Sequence, residues 1–207
     1  MGPFSQTRVI VLLSGGVDSC VVLAQALSMG RACTAISFDY GQRHRIELNS
    51  AEAIARHYRV PRLLLRIDPN LFAQNSSSAL VQHHIPITTV PSTYVPCRNL
   101  LFLAHAASFA ESLKASELWV GAHSDDVPAY PDCSQSFFRA FEAAAAAGSH
   151  LDGITVVSPL VHLTKKAVVA LGKELKAPLE LTWSCYDPQN GRPCAVCPAC
   201  LLRAAAT

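Results

Sequence analysis

The strongest constraint on this chain lies near its N-terminal end, where the branched apolar run Arg8 to Leu13 (RVIVLL) meets Ser14-Gly15-Gly16-Val17-Asp18-Ser19 without a spacer. Such a run, lacking polar alternation, reads as a strand buried on both faces, the condition of a parallel sheet. From Ser19 to Met29 the residues Val21, Val22, Leu23, Ala26 and Leu27 recur at helical spacing, and Gly30 is placed to stop the helix. Strand, tight turn and helix therefore follow one another directly. Ala32 to Phe38 and Arg62 to Ile67 read as strands on either side of an amphipathic helix, Ile46 to Tyr58. Beyond them come a helix over Asn99 to Ala115, a strand over Glu117 to Gly121, a helix over Ser134 to Ala147, a strand over Ile154 to Val157 and a helix over Thr164 to Lys176. This alternation predicts an α/β fold with a doubly wound, mostly parallel sheet and helices on both faces. Residues 68–98, rich in Pro, Ser, Asn and Thr, predict a long loop that is functional or mobile.

Composition narrows the class. The chain has 207 residues, 50% of them hydrophobic and 15% charged, against roughly 25% charged in an average soluble domain, so a full core is expected. Residues 1–207 read as a single domain, with 183–203 as a C-terminal metal module. No apolar run reaches the roughly 18 residues of a membrane span, and Val9 to Leu13 is too short for a signal-peptide core. A soluble cytoplasmic protein is expected. The formal net charge is +2 and Lys/Arg runs are absent, which argues against a nucleic-acid partner and for a small-molecule substrate.

The turn from Ser14 to Ser19 is suited to an anion. Its glycines let backbone N–H groups approach closely, and the following helix N-terminus adds unsatisfied donors and a favourable dipole. Neither GxxxxGK[ST] nor GxGxxG is present, which excludes the common kinase-type and dinucleotide-type cradles. The plainer alternative is a turn in which Asp18 or Ser19 caps the helix.

Of the eight cysteines, Cys185, Cys194, Cys197 and Cys200 crowd the C-terminal end, spaced C-x8-C-x2-C-x2-C. In the absence of a secretory signal, reduced thiols are expected rather than a disulfide framework. Spacings of this kind let thiolates converge on one ion, and four sulfurs complete a closed structural zinc site. An iron–sulfur cluster is the chief rival, and four free thiols the bland alternative.

The SGGVDS loop after a first buried strand resembles the pyrophosphatase loop of the ATP pyrophosphatase superfamily (PP-loop, or adenine nucleotide alpha hydrolase-like), whose members adenylate a substrate oxygen and release pyrophosphate. Paired with the four cysteines, it is similar to the 7-cyano-7-deazaguanine synthase family of the queuosine pathway. The supporting stretches are Phe38 to His44 (FDYGQRH), Ser92 to Asn99 (STYVPCRN), Gly121, Asp126, Tyr130 to Cys133 (YPDC), Pro159-Leu160, Lys165, Cys185-Tyr186 and Leu202-Arg203. Departures from the family pattern are Cys97 and Ala129 where glycines are usual, Ser134 where an Arg is common, and Ala122 to Asp125.

The resemblance implies a Rossmann-like PP-loop domain and an ATP-dependent ligase joining 7-carboxy-7-deazaguanine and ammonia into the nitrile through adenylated acid and amide. It implies that Leu13, Ser14, Gly15, Gly16, Val17, Asp18, Ser19 and Cys20 bind ATP with Mg²⁺, and that Asp18, Ser19, Arg98 and Lys165 carry catalysis. Gln42, Arg43, His44, Arg98, Asp126, Tyr130 and Asp132 would bind substrate, and the cysteines Zn²⁺; a homodimer is compatible with it. The alternatives are a divergent amidating ligase for another carboxylate, a tRNA thiolase, and a non-catalytic zinc or nucleotide-binding module. For His44, His105, His123 and His162, which lack metal spacing, a local hydrogen bond is the default expectation. Asp126 and Asp132 could instead simply cap the loop before the helix Ser134 to Ala147.

Overall fold

In the computed structural model, which describes residues 6–74, 78–82, 91–150 and 153–206, the first apolar run supplies both core layers. In β1 (Arg8–Leu12), Val9 and Val11, with Leu13 just beyond, enter one layer, and Ile10 enters the other. Successive strand side chains point to opposite faces, so a run without polar interruption can only be satisfied by covering both. Ile10 is fully buried, and truncating such a residue to alanine costs about 2–5 kcal/mol.

β2 (Ala32–Asp39), β3 (Arg62–Arg66), β4 (Glu117–Trp119) and β5 (Thr155–Val157) join β1 in a five-stranded sheet of order β3-β2-β1-β4-β5. Every pairing is parallel, with Ile10 opposite Thr34 of β2 and Leu118 of β4. Helices α1 (Val17–Ser28), α2 (Glu47–Tyr58), α3 (Asn70–Ala73), α4 (Arg98–Leu113), α5 (Gln135–Gly148), α6 (Lys165–Glu174) and α7 (Pro198–Ala206) complete the chain. One face of the sheet is covered through Val21, Ile54 and Val168 of α1, α2 and α6, the other through Leu103, Phe138 and Phe141 of α4 and α5.

The expected elements are present with ends shifted by a few residues, and the alanine tract Ala143 to Ala147 lies inside α5. Two differences stand out. The strand expected to reach Gly121 ends at Trp119, and α7 was not foreseen. Of the expected loop 68–98, residues 75–77 and 83–90 lie outside the described residues; the rest holds α3 and a short 3₁₀ turn, Pro91–Thr93.

The order reverses direction between β1 and β4. In open parallel sheets a crevice opens outside the carboxyl ends of strands at such a switch point. Helices that follow their strands present their N-termini to the same edge, so this architecture directs several positive dipole ends at one place.

Candidate active site

The loop after β1 is built from close backbone approaches. Gly15 has φ of +95°, and a Cβ there would lie 2.2 Å from the Glu47 carbonyl oxygen and 2.8 Å from the Ala51 nitrogen. Only glycine meets both demands. Gly121, just past β4, presses against the start of α1: a Cβ would lie 3.1 Å from the Ser19 nitrogen and 3.2 Å from Asp18 carbon atoms. Gly16 is the N-cap of α1 and no side chain caps the helix, which sets aside the reading of Asp18 or Ser19 as a cap. Ser19 donates instead to the Gly16 carbonyl, and the Ser14 and Ser19 hydroxyl oxygens are 3.1 Å apart. From the far end of the chain, Trp183 N–H donates to the Gly15 carbonyl at 2.9 Å.

Beside this cradle, Lys165 Nζ donates to both Asp18 carboxylate oxygens at 2.6 Å. Lys165 opens α6, where the helix dipole disfavours a cation; Asp18 offsets that, and Asp125 accepts from the Lys165 N–H at 3.0 Å. His123 is buried, with Nε2 3.6 Å from Asp126 and 3.9 Å from Asp18, while its Nδ1 has no hydrogen-bond partner among the described residues. Burial pushes the Asp126 carboxyl upward, against the pull of His123 and Lys165.

Next to the cradle lies a cavity of about 250 Å³. Arg98, the first residue of α4, reaches into its wall with Cζ 5.9 Å from the Tyr40 ring centre and 6.0 Å from that of Phe102, and donates to Tyr40 Oη at 3.2 Å. Burial raises the phenols of Tyr40, Tyr130 and Tyr186, so this wall offers neutral hydroxyls around one guanidinium.

The residues read as functional separate into groups. Leu13, Ser14, Asp18, Ser19, His44, Arg98, Asp126 and Tyr130 line the cavity together. Val17 and Cys20 belong to the core, and burial pushes the Cys20 thiol up to about 12. Gln42 is buried in backbone contacts: Tyr40 N–H donates to it and it donates to the Phe38 carbonyl. Arg43 donates to Asp187 at 2.6 Å, which ties the segment after β2 to the cysteine region. Asp132 accepts from Asn99 N–H at 3.0 Å and so caps α4 rather than α5; Ser134 caps α5, accepting from Phe137 N–H, and Asp126 accepts from His123 N–H. His105 makes the local contact expected of it, with Nδ1 2.7 Å from the Leu101 carbonyl oxygen, whereas the Nδ1 atoms of His44 and His123 are buried without hydrogen-bond partners among the described residues.

The sulfur atoms of Cys185, Cys194, Cys197 and Cys200 all lie within 4.8 Å of one another. Backbone N–H groups of Cys194 and Cys197 donate to the sulfurs of Cys185 and Cys194 at 3.2 and 3.3 Å. Against its partial burial, the N–H groups of Val196 and Cys197 bring the Cys194 thiol down to about 7. Metal ligation requires thiolates, and burial pushes the Cys185 thiol up to about 11 and the Cys200 thiol up as well, so a metal bound here would have to release their protons. Among the described residues no helix is long and apolar enough to cross a membrane.

A family model described as "Queuosine biosynthesis protein QueC" matches residues 8–207. The chain belongs to that family. It is 43% identical to the 7-cyano-7-deazaguanine synthase of Leptospira interrogans over 96% of this chain and 86% of that protein. The synthase of Picrophilus torridus is also 43% identical, over 95% of this chain and 85% of its own. The fold is shared with a predicted subunit of a tRNA methyltransferase from Methanocaldococcus jannaschii, at a TM-score of 0.56 and 20% identity over 81% of this chain and 75% of that one.

In this QueC chain the departure at Cys97 falls on a residue with φ of 53°, in the left-handed region that favours glycine, immediately before Arg98. Several site residues had no role in the sequence reading. Phe102 and Glu47 line the cavity yet read in sequence as an apolar helix position and a first-turn acid. Tyr40, Asn99 and Tyr186 stood inside short motifs, but nothing local marked them as neighbours. Arg203 donates to the Leu179 and Thr182 carbonyls and to Ser184 Oγ, holding the stretch whose Trp183 supports Gly15.

Proposed function

We propose that this chain is an ATP-dependent carbon–nitrogen ligase that converts 7-carboxy-7-deazaguanine and ammonia into 7-cyano-7-deazaguanine. Membership of the QueC family supports the assignment. The observation that carries the mechanism is the opening of the uncapped α1 N-terminus, with its Gly15–Gly121 cradle, into the same cavity as Arg98.

A carboxylate is a poor electrophile because an oxide must leave. Adenylation turns that oxygen into a phosphate leaving group, ammonia gives the amide, and a second adenylation on the amide oxygen permits loss of AMP to the nitrile. Backbone N–H groups and the hydroxyls of Ser14 and Ser19 would receive pyrophosphate, with Lys165 neutralising the charge that develops; fixed donors of this kind require no reorganisation during reaction. Arg98 would pair with the substrate carboxylate, and Tyr130 and Asp126 border the base. Asp18 and Asp126 are the carboxylates that would hold Mg²⁺, which would screen the phosphate oxygens when bound, once Lys165 turns from Asp18 to the phosphates.

The four-sulfur cluster fits Zn²⁺, whose tetrahedral thiolate bonds of about 2.3 Å leave no open position and give it a structural role. We place the reaction in the cytoplasm, where such thiols stay reduced. Labelled pyrophosphate should exchange into ATP when 7-carboxy-7-deazaguanine is present and not without it. Exchange driven equally well by unrelated carboxylates would favour a divergent amidating ligase.

A further inference from the structure

We propose that His44, oriented by Glu47, accepts the protons that nitrogen loses during the reaction. The inference rests on the ligase reading above and adds to it a base acting on the nitrogen.

His44 lines the cavity, is 4% exposed and has its ring 5.4 Å from that of Tyr186. Its Nε2 lies 3.3 Å from Glu47 Oε2, while its Nδ1 is buried with no hydrogen-bond partner among the described residues. With Glu47 ionised, the proton belongs on Nε2 and Nδ1 keeps its lone pair. Glu47 is itself fixed. Gln42 Nε2 donates to Glu47 Oε1 at 3.0 Å, and Gln42 is anchored by the Tyr40 N–H and the Phe38 carbonyl. The stretch from Phe38 to Glu47 is thus a relay of orientation that starts at the end of β2 and ends on one bare imidazole nitrogen. A buried acceptor without a partner carries a desolvation cost, and at a cavity wall that cost is understood if a proton arrives during the reaction.

The stoichiometry requires such an acceptor. Carboxylate and ATP give acyl adenylate and pyrophosphate with no proton released. Attack of ammonia forms the C–N bond, breaks the C–O bond to AMP and releases one proton from nitrogen. Attack of the amide oxygen on the second ATP expels pyrophosphate and releases a second proton from nitrogen. Collapse of the adenylated imidate breaks the remaining C–O bond, expels AMP and releases the third. All three hydrogens of ammonia must leave, each from nitrogen bound to the same carbon, so one base at one position can serve every step. His123 also has a bare Nδ1, but it is enclosed by Asp18, Asp125 and Asp126 and does not line the cavity.

The balance supplies the test, because adenylation of the carboxylate, unlike that of the amide, releases no proton and needs no base. The full-length protein with His44→Gln is assayed for carboxylate-dependent pyrophosphate exchange and, separately, for nitrile formed from ammonium or from the preformed amide. Both nitrile-forming reactions should fall by about 10²-fold or more, the usual worth of a general base, and by at least about tenfold more than exchange, which carries the cost of the change to substrate binding alone. Glu47→Gln, a positioning change, should shift the same ratio in the same direction by a smaller factor, and it carries the test if His44→Gln does not fold. Equal losses in exchange and nitrile formation, or unchanged nitrile formation, would overturn the assignment. Absence of carboxylate-dependent exchange in the unaltered protein would instead remove the ligase reading on which it rests.

Discussion

Replacing Gly15 by alanine tests the cradle most sharply, because the structure says where the added methyl must go. It would lie 2.2 Å from the Glu47 carbonyl oxygen and 2.8 Å from the Ala51 nitrogen, in a residue whose φ is +95°. Both neighbours are backbone atoms at the start of α2, so no rotamer change relieves the overlap. Holding an L residue in a sparsely populated backbone region costs of order 1–3 kcal/mol, and overpacking adds typically 1–3 kcal/mol. A loss of about 2 kcal/mol or more lowers Tm by at least about 4 °C in a chain of this size. Restoring an ordinary contact needs a displacement near 1 Å, which would also disturb the Trp183 hydrogen bond to Gly15. A misplacement of that size costs about 10²-fold in rate. Thermal melting and carboxylate-dependent pyrophosphate exchange read the two effects. A Gly15→Ala protein with Tm unchanged within about 1 °C and full exchange would refute the reasoning.

Three further outcomes follow from the same geometry. Cys197→Ser, or prolonged chelation, should release about one zinc per chain and lower Tm, since the unfolded segment holds no preformed site; Cys20→Ser should retain the metal, and metal analysis with an absorption spectrum separates zinc from a coloured iron–sulfur cluster. Lys165→Met should suppress exchange by tenfold or more while leaving circular dichroism unchanged, because its partner Asp18 is partly solvated. The Asp126 carboxyl is raised on folding by burial, so its ionisation opposes folding and stability is lost as pH rises through its folded pKa. Asp126→Asn should therefore melt close to the unaltered protein near pH 4 and above it near pH 7, with nitrile synthesis reduced, and differential scanning calorimetry at the two pH values checks the sign.

What could be read from the sequence was local. The run Val9 to Leu13 declared its two buried faces by lacking polar residues, and the SGGVDS loop stood out because its glycines sit at a strand–helix junction, where backbone N–H groups can meet an anion. The C-terminal helix was hidden by its neighbours: Pro198-Ala-Cys-Leu-Leu-Arg-Ala-Ala-Ala is good helix-forming sequence, yet Cys200 within it reads with Cys194 and Cys197 as part of a metal motif. The site's long-range pairs left no local trace, since Lys165 meets Asp18 across 147 residues and Arg43 meets Asp187 across 144. For the same reason Asp132 read as a cap for the helix beside it, whereas in three dimensions the start of α4 lies within its reach. Gly41 has φ of +81° and a Cβ there would lie 2.6 Å from Pro69; the turn brings Gln42 back onto the Tyr40 N–H and the Phe38 carbonyl, contacts that nothing in the sequence marks.

The products of one complete turnover test the ligase assignment most directly. Purified protein incubated with ATP, Mg²⁺, ammonium and 7-carboxy-7-deazaguanine, with nucleotides and base followed together by mass spectrometry, should yield 7-cyano-7-deazaguanine with two AMP and two pyrophosphate per nitrile. ADP and orthophosphate as the direct nucleotide products, or AMP formed with no nitrile at any ammonium concentration, would contradict it.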